Sequence, residues 1–126
     1  MESLGESTQK LLDSFIDENK LTKMEQKFII KVPTSEADFI SEGIQQNSCV
    51  GHYAKLVNTG ERIVFFIRKK DEPEKSFITA EYVTDTGELG QCMYANNRVV
   101  EDETIKNYCN VACNRIRTGL LTSKIK

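Results

Sequence analysis

A chain of 126 residues is long enough for one independently folding domain and too short for two of ordinary size. With 39% hydrophobic and 29% charged residues it has the composition of a folded chain, and no apolar run approaches the ~20 residues that span a bilayer. Seventeen basic against nineteen acidic side chains leave a formal charge of −2, which excludes a global attraction to nucleic acid or an anionic membrane and leaves only a local basic face open.

The N-terminus MESLGESTQK lacks the basic and apolar regions of a secretory signal, so a cytoplasmic protein is expected. In that compartment Cys49, Cys92, Cys109 and Cys113 are expected as thiols. Leu4, Leu11, Leu12, Phe15 and Ile16 recur at partly helical spacing, which makes residues 1–22 an amphipathic helix with Leu11, Leu12, Phe15 and Ile16 largely buried. Phe28-Ile29-Ile30 reads as a short strand ended by Pro33. A helix then starts at Ser35, which can cap it; acidic residues fill its first turn, and Ala37, Ile40 and Ile44 form its apolar stripe. From Cys49 a second helix is expected, with Tyr53, Leu56 and Val57 packed beneath the sheet and Gly60 as its stop.

The middle is strand-rich. Ile63 to Ile67 are five consecutive apolar residues, SFITAEYVT is a β-branched and aromatic run, and LGQCMYA is a third; DEPEK and DTGEL are the turns between them. Turn-linked neighbours of this kind make an antiparallel meander. The last helix carries Ile105, Tyr108, Cys109, Ala112 and Ile116 at three- and four-residue steps, with Asp102 as cap and Gly119 as stop. The fold class is α+β: one domain, 1–126, with a small antiparallel sheet of three to four strands whose one face is covered by N-terminal, middle and C-terminal helices.

CVGHYAKLVNTGERIVFFIR, then TAEY, then GQCMYANNR, over about residues 47–98, resemble the PcfJ-like domain family of conjugative plasmids and phages. The matching positions are Cys49, Val50, Gly51, Tyr53, Gly60, Arg68, Thr79, Glu81, Gln91 and Asn96 or Asn97. The resemblance implies a mobile-element setting in a bacterial cytoplasm, and it assigns no reaction to these residues.

Several constellations stay open at this level. Cys49 is a buried structural cysteine, a thiol activated near a helix start with His52 one turn on, or, paired with His52, half of a zinc set completed by Cys109 and Cys113. The core-like periodicity of Cys109 argues against the metal. In FITAEYV, alternation sends Ile78, Ala80 and Tyr82 to the core and puts Phe77, Thr79, Glu81 and Val83 on the other face. There Thr79 and Glu81, with Gln91, Asn96 and Asn97, form either a polar site or a solvated face; Tyr53 is expected to bond Glu81 or Gln91. Arg62, Arg68, Lys69, Lys70 and Arg98 make a candidate basic surface, countered by Asp71, Glu72 and Glu74.

No Gly-rich phosphate loop, HExxH helix or nucleophile elbow occurs, so no cofactor or metal is called for. The expected function is an accessory protein that binds another protein or a nucleoprotein complex, in conjugation or as an inhibitor of host defence such as an anti-CRISPR. Direct nucleic-acid binding is not favoured, and no membrane association is expected. The alternative is a small enzyme or ligand-binding domain built around Cys49, Tyr53, Glu81, Gln91 and Asn97.

Overall fold

The computed structural model describes residues 3–47, 57, 60–122 and 124–125. Their elements run α1 (Leu4–Asp13), α2 (Lys23–Lys27), β1 (Phe28–Lys31), α3 (Glu36–Gln46), β2 (Arg62–Lys69), β3 (Ile78–Val83), β4 (Glu88–Tyr94), a 3-10 turn (Ala95–Asn97), β5 (Arg98–Val99) and α4 (Glu103–Leu121). The five strands form one antiparallel sheet in the order β1-β2-β3-β4-β5. The α+β meander is therefore present with five strands rather than three to four. β5 is the addition: two residues folded back on Met93 and Tyr94, too short to leave a periodic trace in the sequence.

The sheet is covered on both faces, not one. Ile63, Phe65 and Ile67 of β2 join Ile78, Ala80 and Tyr82 of β3 in a large core against Leu11 and Leu12 of α1 and Ile105, Cys109, Ala112, Cys113 and Ile116 of α4. The alternate residues Val64 and Phe66 pack against Phe39 of α3, with Val57 at the margin. An uninterrupted apolar strand belongs between two layers, and β2 has five apolar residues in a row for that reason. Full burial of side chains such as Phe65 and Phe66 (0% and 1% exposed) contributes roughly 1.5–3 kcal/mol each.

The helices begin where their caps dictate. Ser3, Ser35 and Asp102 accept from backbone N–H groups of the first turns of α1, α3 and α4, and Thr22 with Glu25 forms a reciprocal capping box on α2. Two expectations about buried faces fail. α1 ends at Asp13, well short of residue 22, and Phe15 is 44% exposed with the Arg115 guanidinium over its ring at 4.7 Å. In α3 the buried residues are Phe39, Glu42 and Gln46, whereas Ile40 (52%) and Ile44 (76%) face outward. The reason lies on the sheet, where Arg68, next to the end of β2, meets α3 and needs a carboxylate more than an apolar neighbour.

Candidate functional site

The polar centre lies between α3 and the sheet. Glu42 is fully buried; its Oε1 accepts from the Arg68 guanidinium at 2.8 Å and its Oε2 from the Thr79 hydroxyl at 3.1 Å. Arg68 also donates to the Pro73 carbonyl at 2.9 Å, and its guanidinium lies 5.4 Å from the centre of the Phe66 ring. Burial pushes the Glu42 carboxyl above its ordinary range, and Arg68 and the Thr79 hydroxyl pull it back only in part. One turn along α3, Gln46 is 1% exposed, and among the described residues neither its amide nitrogen nor its oxygen finds a hydrogen-bond partner; the same holds for Nε of Arg68.

A second polar group sits farther along β3. The β3–β4 register shifts between Ala80 and Tyr82, so Glu81 faces an irregularity in β4. The bulge takes the Gln91 N–H out of the regular ladder, and the Glu81 carboxylate accepts it at 3.0 Å. Arg62 approaches the other carboxylate oxygen at 3.8 Å. The Glu81 side chain lies across Gly90 so closely that a Cβ there would collide with it, which explains a glycine next to the bulge.

Thr79 and Glu81 thus share a face, as alternation requires, but that face is covered rather than wet: they are 8% and 7% exposed. The Gln91 side chain is on the exposed part of β4. Asn96 and Asn97 adopt left-handed backbone angles (φ 61° and 55°), which asparagine tolerates better than most residues, and Asn96 Oδ1 accepts from the Asn47 side chain at 2.8 Å, joining the end of α3 to the turn after β4. Cys49, His52 and Tyr53, including the proposed bond from Tyr53 to Glu81 or Gln91, lie outside the described residues.

The basic surface is corrected at Arg68, whose charge is consumed by Glu42 beneath α3 and is closed to phosphate. The others have local partners: Arg62 faces Glu81, Lys69 lies over the Phe77 ring at 4.8 Å, Lys70 donates to the Glu25 carbonyl, and Arg98 lies over the Tyr94 ring at 5.2 Å. Cys109 and Cys113 lie in the core, where the Cys92 and Cys109 sulfurs approach to 3.8 Å. Among the described residues no group of three or more His, Cys, Asp or Glu is placed to hold a metal ion, and no helix is long and apolar enough to cross a membrane.

Glu42 and Gln46 are the residues that sequence reasoning missed. The available signal was an arginine ending an apolar strand, which demands a buried acid, together with the i, i+3, i+7 spacing of Phe39, Glu42 and Gln46.

No curated protein matches this chain, and no solved structure does. A family model, PcfJ-like protein, matches residues 5–108. That span reaches well beyond the motif segment 47–98, taking in most of α1, the helix that supplies Glu42, all five strands and the start of α4. The chain belongs to the PcfJ-like protein family.

Proposed function

We propose that this chain is an accessory protein of a conjugative plasmid or phage, acting in the bacterial cytoplasm by binding another protein or a nucleoprotein complex. The observation that supports this most directly is the outer face of α3, where Ile40 and Ile44, four residues apart on one stripe, are 52% and 76% exposed. The polar residues of the motif point the same way. Thr79 and Glu81 are engaged in bonds that hold α3 to β3 and β3 to β4, which suits a scaffold better than a reacting centre.

The test is affinity isolation of the tagged full chain from a conjugating or phage-infected host, side by side with Ile40→Ser/Ile44→Ser. A partner that is retained by the wild type and lost from the double variant, at unchanged melting temperature, is the expected outcome. A partner held equally by both, or none held by either, overturns the reading.

A further inference from the structure

A cavity of about 300 Å3 opens between the α1–α2 segment, β1 and α4, on the opposite side of the sheet from α3. Its walls are apolar in larger part, with Leu12, Ile16, Leu21, Phe28 and Tyr108 among them, and its volume is at the small end of the range for ligand sites. Glu25 is set into this lining and is only 8% exposed. One carboxylate oxygen accepts the Thr22 N–H at 2.9 Å, completing the capping box. The other has no partner among the described residues, and no cation lies within ion-pair distance of it there.

The two cations at the cavity are directed elsewhere. Lys70 donates to the backbone carbonyl of Glu25 at 3.2 Å, and the Arg115 guanidinium lies over Phe15. Asp13 and Glu18 add negative charge at the rim, where Asp13 accepts from Gln9. Tyr108, stacked obliquely on Phe28 at 6.2 Å, keeps its hydroxyl protonated, because burial first and the nearby Glu25 second push its ionisation far above the ordinary phenol range. The unbonded oxygen of Glu25 keeps contact with solvent at this cavity, so a cation that enters it can reach the carboxylate.

We propose that this cavity is a binding site for a small organic cation, an amine carried on an apolar body, with Glu25 as its counter-ion. The apolar body fills the space between Leu12, Ile16 and Phe28; the ammonium donates to the free oxygen of Glu25, and the Tyr108 hydroxyl is the second polar contact. The site is separate from the polar centre under α3 and from the outer stripe of that helix.

The test uses two probes of matched size and opposite charge, 2-phenylethylamine and 3-phenylpropionate, titrated into the full chain. Calorimetry reads affinity and methyl NMR reads location. The amine should bind about tenfold or more tightly than the carboxylate, shifting the methyl signals of Leu12, Ile16 and Leu21. Glu25→Gln should erase that preference. Glutamine also serves at this position of a capping box, so the variant should keep its melting temperature. Equal affinity for the two probes, preference for the carboxylate, methyl shifts elsewhere, no binding at millimolar concentration, or an amine preference that survives Glu25→Gln would each overturn the proposal.

Discussion

Arg68 and Glu42 meet at 2.8 Å beneath α3, with 6% and 0% of their side chains exposed. A buried pair of this kind adds little net stability over an apolar pair of the same volume, but breaking it strands a charge. Arg68→Met should therefore cost about 3–5 kcal/mol, and Arg68→Met/Glu42→Leu should recover most of that loss. Urea denaturation of the two single variants and the double closes the cycle. A double variant no more stable than Arg68→Met would show that the network as a whole, rather than the stranded charge, determines the loss.

The same carboxyl makes stability depend on pH. Its folded value lies above the ordinary 4.5, so the folded chain holds a proton that the unfolded chain has released in the window just above 4.5. The protonated Glu42 therefore contributes stability that is fully present below that value and is lost as pH rises through the raised one. Unfolding free energies measured at several pH values should show the wild type losing ground to Glu42→Gln as pH increases across this window. A difference that is flat with pH, or of opposite slope, would mean that the Arg68 charge dominates burial.

Leu12 and Phe15 separate the docked part of the N-terminal segment from the undocked part. Leu12 is 4% exposed in the main core, and Leu12→Ala should cost about 2–5 kcal/mol. Phe15→Ala, at a position 44% exposed, should cost about 1 kcal/mol or less, mainly through the lost stacking of Arg115. Thermal melts of the two variants suffice to compare them.

The core thiols should be inert in the folded protein. Burial pushes the Cys113 thiol up to about 12, so at pH 8 roughly one molecule in ten thousand carries the thiolate there. Cys109 is raised further, chiefly by its contact with Cys92 and by burial. Iodoacetamide at pH 8 followed by mass spectrometry should leave Cys109 and Cys113 unmodified in the native chain and alkylate both in denaturant. Rapid native modification of Cys113 would mean that α4 opens readily.

Legibility of the fold followed the strength of the local signals. The Ser35 and Asp102 caps and the strand runs at 63–67, 78–83 and 89–94 were readable, because capping and β-branched runs act over a few residues. The inward face of β3 was readable too: Ile78, Ala80 and Tyr82 all reached the core. The face of α3 was not, because hydrophobicity alone favours Ile40 and Ile44, while the real choice was made by Arg68, more than twenty residues away in sequence. The wet-face reading of Thr79 failed for the same reason, since nothing within β3 announces that Glu42 of α3 lies over it. The role of Glu81 was also hidden, because a bulge arises from pairing between strands and has no signature within one.

β1 lies at one edge of the sheet, and a helix closes part of that edge. Gln9 of α1 donates its side-chain amide to the Ile30 carbonyl at 2.9 Å and accepts the Val32 N–H at 2.7 Å, as a residue in a neighbouring strand would. One side chain thus imitates a peptide group and takes up bonding positions that another polypeptide could use. The consequence is colloidal: Gln9→Leu would leave a donor and an acceptor beside Ile30, ready to template pairing between molecules. Light scattering during storage at high concentration should register that change before any shift in the melting temperature does.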